Sequence, residues 1–478
     1  MDFAGREADL KALEGQLRAV VDRKGATRGR AVIMTGRRRV GKSRLVQEFC
    51  DRSGLPYLFF QATKGRSPAA ERLDLVEAIS CSALPGRELV AGAEPPDWNH
   101  MLRSLAVAMG EQAPSIVVLD EVPWLVEQDG EFEGALQTVW DRHLSARPVL
   151  LILVGSDLSM MESLQEYDRP FFGRATRMTV RPLDLPDVAE MTGLGAAEAI
   201  DALLVTGGFP EVVQSWEPTM TRMEFLRAGL GNPLSPLLMA GELSLLGEFP
   251  SATHTRAVLE AIGTGERTFG AIANRVGGSH PLPAGTLSPI LANLIAKRVV
   301  HADLPLSTEA DTRNKRYRVA DPYLRFWLAF LQRAVSESER GRPDVALRRI
   351  ERSWTTWRGR AVEPVVRERL ARLLPDDDWP DAEVIGGWWN RRNNPEIDIV
   401  AADREPVAGR IQFVGSIKWL DARPFDRRDY DELARGAGFV PGTTSDTPLV
   451  AVSRAGFEPG LPLSAAWTPE DLLRPILS

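Results

Sequence analysis

The chain has 478 residues, 44% of them hydrophobic and 26% charged, with a formal net charge of −7. That length predicts about three domains of ordinary soluble composition, and the acidic balance argues against wrapping nucleic acid with the whole surface while leaving a local basic face open. Cys50, Cys81 and five scattered histidines form neither a disulfide framework nor a zinc pattern, the start MDFAGREADL is no signal peptide, and no apolar run is long enough to span a bilayer, so a cytoplasmic protein without a membrane partner is expected.

In chain order, Phe3-Ala4-Gly5-Arg6-Glu7 leads into a helical stretch with Leu10, Leu13 and Leu17 on one face. Ala31 to Met34 reads as a short buried strand, and Leu45, Val46 and Phe49 mark the helix beyond it. Between them lies Gly36-Arg37-Arg38-Arg39-Val40-Gly41-Lys42-Ser43, followed by Arg44. This matches the phosphate-loop pattern G-x-x-x-x-G-K-[ST] in the strand–loop–helix context that the pattern requires. Gly36 and Gly41 let backbone N–H groups turn toward phosphate oxygens, and the helix N-terminus adds partial positive charge. Lys42 is expected on the β- and γ-phosphates and Ser43 on magnesium, so ATP and Mg2+ are the predicted cofactors.

Tyr57 to Phe60 reads as a second strand, and residues 66–112 as mainly helical with breaks at Leu84-Pro85-Gly86 and Pro95-Pro96. Ser115 to Glu121 is a buried strand ending in two acids. Asp120 falls where the magnesium shell needs a carboxylate, and Glu121 where a general base polarises water. A surface turn also places acids after strands, but the position downstream of the phosphate loop favours the catalytic reading. Val149 to Val154 is a further buried strand, and Ser156 at its end is expected beside the γ-phosphate. Apolar strands alternating with helices predict a parallel α/β sheet covered on both faces.

The Phe-x-Gly-Arg start, GRRRVGKSRL, VVLDEVPWL, LILVGSDLSMM, PFFGRATRMTVRPL and TGGFPEVV together resemble the archaeal-type ATPases related to the AAA+ and STAND groups. The resemblance implies a sensor role for Ser156 and a phosphate-sensing role for Arg174 in Gly173-Arg174. It also implies a helical lid whose Gly207-Gly208-Phe209-Pro210 lies beside the nucleotide. Read from the residues alone, Arg174 is equally a surface arginine and the Gly-Gly-Phe-Pro a helix stop.

Residues 229–254 read as a Pro/Gly-punctuated linker. From Thr255 the pattern is three helices and a wing: Val258, Leu259 and Ile262; Phe269, Ile272 and Val276; Leu287, Ile290, Leu291, Leu294 and Ile295; then Val299 to Tyr317. The resemblance places a winged helix-turn-helix here, with DNA binding as its functional reading and a spacer or protein contact as its alternative. The third helix is poor in cations, so Arg313, Lys315, Arg316 and Arg318 of the wing are the expected phosphate contacts. Ser336 to Asp344 reads as a linker. Residues 341–372 then carry nine arginines against four carboxylates, a solvated helix face or a nucleic-acid-facing one.

Val384 to Trp389, Pro395 to Val400 and Ile411 to Trp419 read as successive strands. Alternation puts Glu396 and Asp398 on one face, and Ser416 and Lys418 together on the next strand. With Glu363 on the preceding helix, the set resembles a PD-(D/E)xK nuclease-like domain. There the strand reads Gly-Glu-x-Lys-Trp, and Ser416 stands in place of a metal-binding carboxylate. The expected outcome is a degenerate centre of Glu363, Glu396, Asp398, Ser416 and Lys418 that does not cleave, because magnesium needs several anionic ligands.

The expected architecture is thus an α/β phosphate-loop ATPase core over 1–185, a helical lid and linker over 186–250, a winged helix over 251–335, and a restriction-endonuclease-like α/β domain over 345–478. Three functions follow: an ATPase whose C-terminal half binds DNA, a slow nucleotide-dependent switch acting through protein contacts or a second copy, and an active ATP-regulated nuclease.

Overall fold

A computed structural model describes residues 3, 5–22, 29–248, 253–392 and 394–474. The chain divides into two compact units, Met1–Leu183 and Asp184–Ser478. No helix among the described residues is long and apolar enough to cross a membrane.

The first unit is built on five parallel strands, β1 (Arg30–Thr35), β2 (Tyr57–Gln61), β3 (Ser115–Asp120), β4 (Val149–Val154) and β5 (Ala175–Thr179). Their spatial order is β2-β3-β4-β1-β5, with β1 paired to β4 and β5, and β4 to β3. All residues of β3 and β4 are buried. Since successive side chains point to opposite faces, both faces must be covered, which is why these strands read as unbroken apolar runs rather than alternating ones. Helices Glu7–Val21, Lys42–Ser53, Pro68–Cys81, Trp98–Ala108 and Phe132–Val139 accompany them. Insertion of β4 between β1 and β3 brings the C-terminal ends of three strands side by side, the place where open α/β sheets bind ligands.

The second unit begins with helices Leu185–Thr192, Ala196–Thr206, Pro210–Gln214, Arg222–Gly231 and Pro236–Glu248. The segment read as a winged module forms helices Thr253–Gly263, Phe269–Gly277 and Ala284–Ala296, then an antiparallel pair, β6 (Val300–Asp303) and β7 (Arg316–Val319). A 31-residue helix, Pro343–Leu373, spans roughly 46 Å at 1.5 Å per residue. It leads into a second sheet of order β12-β11-β10-β9-β8, made of β8 (Val384–Trp389), β9 (Glu396–Ala402), β10 (Ile411–Lys418), β11 (Leu449–Ser453) and β12 (Ala465–Trp467). Strands β8 to β10 are antiparallel, and β10 to β12 parallel.

Both linker expectations are corrected. Residues 236–248 are helical, and 249–252 lie outside the described residues. Ser336 to Glu339 completes helix Gln332–Glu339, and only a short turn separates it from Pro343. Glu337 is buried there because Arg349 of the long helix holds its carboxylate at 2.6 Å, so a segment polar in composition is an ion-paired helix junction.

The basic wing is also corrected. Residues 304–315 do not form a free tip but are stitched to the second sheet. Leu306 N–H donates to the Gly387 carbonyl at 2.9 Å, Ala408 N–H to that of Ser307 at 2.9 Å, and Asn314 Nδ2 to that of Trp389 at 3.1 Å. Leu306 joins the core of Trp388, Val400 and Val414. Arg316 is buried, lies over the Trp389 ring at 4.2 Å and pairs with Glu396. Arg318 pairs with Asp303 at 2.7 Å. Arg313 and Lys315 alone of the four are exposed.

Three arginines of the arginine-rich helix likewise spend their charge internally. Arg358, 1% exposed, pairs with Asp201 at 2.9 Å and Asp421 at 2.8 Å and donates to the Trp419 carbonyl. Arg369 and Arg372 share Asp184 at 3.0 and 2.8 Å. A buried guanidinium needs such partners, since an unpaired one costs several kcal/mol.

Candidate nucleotide site and second-unit cleft

After β1 the chain turns through residues 36–41. A Cβ on Gly36 would lie 2.5 Å from the Val180 carbonyl oxygen, and Gly41 has φ 86°, so each position requires glycine for its own reason. Helix Lys42–Ser53 starts directly on this turn without a side-chain cap, which leaves its first N–H groups for an anion. Lys42 is 7% exposed, and its Nζ donates to the carbonyls of Gly36 at 2.7 Å and Arg37 at 3.0 Å. Burial pulls its ammonium down to about 8, with the charges of Glu121 and Asp120 opposing the effect and Arg38 adding to it. Val40 is buried and Arg44 pairs along the helix with Glu48 at 3.2 Å. Arg37, Arg38 and Arg39 are half-buried.

Ser43 Oγ donates to Asp120 Oδ2 at 2.6 Å, and Asp120 Oδ1 accepts the Glu121 N–H at 2.9 Å. Glu121 sits at φ 54°, ψ 42° between β3 and the next helix, a left-handed conformation that costs a non-glycine residue about 1–2 kcal/mol. Its carboxylate accepts the Ser156 hydroxyl at 3.0 Å. The β3–β4 adjacency makes this contact: Ser156 follows β4 as Glu121 follows β3. Arg174 is occupied elsewhere. Its Nε and Nη2 pair with Asp141 at 2.8 and 2.7 Å, and its Nη1 donates to the Pro170 and Phe172 carbonyls. Reaching a phosphate would require releasing all four. Pro210 opens helix Pro210–Gln214 in the second unit, after Gly207 and Gly208 at φ 60° and 70°. A Cβ on Gly207 would meet the Tyr323 Cβ at 2.6 Å, and the Phe209 ring packs edge-on against that of Tyr323, so the Gly-Gly-Phe-Pro is a helix stop packed on Tyr323.

The second unit contains a cleft of about 1420 Å³ on which Glu363, Glu396, Asp398, Ser416 and Lys418 all lie. Asp398 Oδ2 accepts the Ser416 hydroxyl at 3.0 Å and the Ile417 N–H at 2.8 Å. Lys418 pairs with Asp429 at 3.3 Å and Glu432 at 3.9 Å. Glu396 is held by Arg316 and, at 3.5 Å, by Arg267. Burial and the neighbouring Asp398 push Glu363 up to about 7, against the pull of Arg367 and Arg267. Burial also raises Asp398, opposed by its bonds from Ile417 and Ser416. Among the described residues, no group of three or more His, Cys, Asp or Glu side chains is placed to share a metal ion. The serine hydroxyl thus satisfies Asp398 rather than supplying an anionic ligand.

A family described as "Archaea bacterial proteins of unknown function" (DUF234) matches residues 327–429, a span holding all five of these cleft residues. An uncharacterized protein of Methanocaldococcus jannaschii is 25% identical over 444 residues, 92% of each chain. Among solved structures, the chain is similar to a Walker-type ATPase of Pyrococcus abyssi, with 20% identity and a TM-score of 0.49 over 68% of this chain and 96% of that one. It is also similar to the ORC2 protein of Aeropyrum pernix in ADPNP–ADP complexes, with 14% identity and a TM-score of 0.46 over 71% and 97%.

Sequence reasoning attached no role to Arg6, which is buried, pairs with Asp9 at 3.1 Å and donates to the carbonyls of Val40 and Arg181. It pins the phosphate loop to the start of the chain. The signal was the Phe-x-Gly-Arg start itself. Asp429 and Glu432, three apart on helix Arg427–Ala437, were likewise unread as partners of Lys418.

Proposed function

We propose that the chain binds and hydrolyses ATP with magnesium, and that its second unit holds a nucleic-acid backbone in the cleft without cleaving it. The observation that carries the ATP reading is Lys42: a buried ammonium bonded to two carbonyls, at the foot of an uncapped helix, with its compensation most naturally supplied by phosphate. Ser43 and Asp120 would hold the magnesium ion, which neutralises charge on the β- and γ-phosphates when bound. Glu121 takes the proton of the attacking water, with its carboxylate oriented by Ser156. Arg174 enters this reading only on release from Asp141.

In the cleft, Arg267, Arg360, Arg391, Arg392 and Arg435 offer charge to phosphates. The bonding of Ser416 and the absence of a shared carboxylate cluster among the described residues support binding without cleavage. A slow nucleotide-dependent switch is the second reading, favoured by the embedded wing, which leaves few of its cations for a phosphate backbone. ATP turnover by wild type, Lys42→Met and Glu121→Gln, beside a salt titration of DNA binding, separates the readings. Turnover unaffected by both substitutions refutes the ATPase assignment, and no DNA binding at low salt leaves the switch.

A further inference from the structure

Beside the cleft lies a second cavity of about 430 Å³, within the range of small-ligand sites. Its walls come from the end of helix Thr253–Gly263, from β7, from the segment around Arg325 to Phe330, and from the long helix. On that helix Arg352, Thr356 and Arg360 recur every four residues and so share a face. Five arginines line the cavity, Arg267, Arg318, Arg325, Arg352 and Arg360, and no carboxylate does among the described residues. Arg318 and Arg267 reach outward to Asp303 at 2.7 Å and Glu396 at 3.5 Å. Arg325, Arg352 and Arg360 have no carboxylate within 4 Å among the described residues, and Arg325 donates to the Arg360 backbone carbonyl.

An exposed arginine on a helix needs no explanation, and Arg352 and Arg360 taken singly are of that kind. Arg325 is not. Burial pulls it down to about 10; Glu363 opposes that pull, and Arg267, Arg318 and Arg367 reinforce it. Converging cations around a partly dehydrated cavity repel one another, and an anion relieves both the repulsion and the desolvation. Three aromatic residues, Tyr317, Phe330 and Trp357, share the wall with small and aliphatic residues, and Trp357 is the most open of the three. Guanidinium forks next to an indole face match a phosphate attached to a planar base. Arg267 and Arg360 also line the cleft, so the two spaces share part of a wall.

We propose that this cavity binds the phosphomonoester end of a nucleotide, with its phosphate on Arg325, Arg352 and Arg360 and its base against Trp357. Two sources share that chemistry: a free mononucleotide, and the 5′-phosphorylated end of a strand lying in the cleft. Only the second rests on the nucleic-acid reading.

The test uses the full chain carrying Lys42→Met, which silences the phosphate loop. Calorimetry compares AMP with adenosine, and a 5′-phosphorylated single-stranded DNA 12-mer with its 5′-hydroxyl twin. The expected result is AMP binding without adenosine binding, or a phosphorylated strand bound at least roughly tenfold more tightly than its twin, as a single charge-assisted bond would give. Either preference disappears in the double variant Arg352→Gln, Arg360→Gln, whose exposed side chains can change without unfolding the chain, while Arg227→Gln, on the exposed face of helix Arg222–Gly231, leaves it intact. A preference for AMP alone names a free nucleotide, and one for the phosphorylated strand alone names a strand end. If neither phosphate increases affinity, or the increase survives the double variant, the proposal is overturned. Equal binding of both strands with no AMP binding rejects the cavity and keeps the cleft reading; AMP binding with no strand binding does the reverse.

Discussion

Lys42 provides the sharpest quantitative test because two properties of one ammonium run in opposite directions with pH. Its ordinary value of 10.5 is pulled to about 8 by burial. In the free protein the ammonium is therefore roughly nine-tenths protonated at pH 7 and one-tenth at pH 9. If phosphate binds only the charged form, the apparent Kd for ADP weakens about tenfold between those values, since affinity scales with the competent fraction. Binding at pH 8.5 should also take up a proton, because the bound phosphate restores the charge. Stability of the free protein goes the other way. A lysine depressed on folding binds fewer protons folded than unfolded between about 8 and 10.5, so unfolding free energy rises with pH across that window, by at most roughly 3 kcal/mol. Below pH 8 the handicap is fully present. Calorimetry with ADP in two buffers of different ionisation enthalpy reads proton uptake, and urea unfolding reads the stability. Lys42→Met should abolish both dependences. An ADP affinity flat from pH 7 to 9 without proton uptake, or the same slope in Lys42→Met, would refute the reasoning.

Glu121→Gln should retain ATP but turn it over ~10²–10⁴-fold more slowly, and wild-type turnover in that variant would remove Glu121 as the base. Wild-type protein should show no magnesium- or manganese-dependent cleavage of plasmid; cleavage that disappears in Asp398→Ala would mean that Ser416 is tolerated in a working nuclease, and Ser416→Glu tests whether a carboxylate there restores activity. Arg358→Ala leaves Asp201 buried and loses two ion pairs, so the second unit's urea midpoint should fall by the equivalent of about 3–5 kcal/mol; a loss under about 1 kcal/mol would show the network to be solvated. Arg313→Ala with Lys315→Ala should lower the slope of log affinity for DNA against log salt by about 2, and an unchanged slope would place the phosphate elsewhere.

How far the sequence was readable depends on how far apart the interacting groups are. The phosphate loop was legible because strand, turn and helix are contiguous and each residue type has a local reason. Asp120 and Glu121 were legible because an apolar run ending in two acids is also local. The arginines of the long helix were not, since nothing in their spacing distinguishes Arg358, which meets Asp201 and Asp421 from distant segments, from Arg352, which meets no carboxylate among the described residues. The misread linker at 336–344 has the same origin: Glu337 looks like a solvated residue until Arg349 covers it. Leu306 is one apolar residue in a polar stretch, and its burial depends on a sheet that begins far downstream. Strand alternation did place Asp398 and Ser416 on a common cleft, although the bond between them belongs to the tertiary register of β9 and β10.

The embedded loop at 304–315 has a bearing on inheritance. A winged module joined to its neighbour by a tether can be copied, lost or exchanged as a cassette. Here Leu306 fills a hole in another sheet's interior, and β8, the β9–β10 connection and the segment at Pro441 are bonded to the loop's backbone. A gene fragment ending near residue 340 would encode a greasy projection, and one beginning there would encode a sheet with a missing plug. Recombination within this half of the chain is therefore penalised at the level of folding, so its segments should descend together, and an expression boundary drawn between them should give insoluble product on both sides.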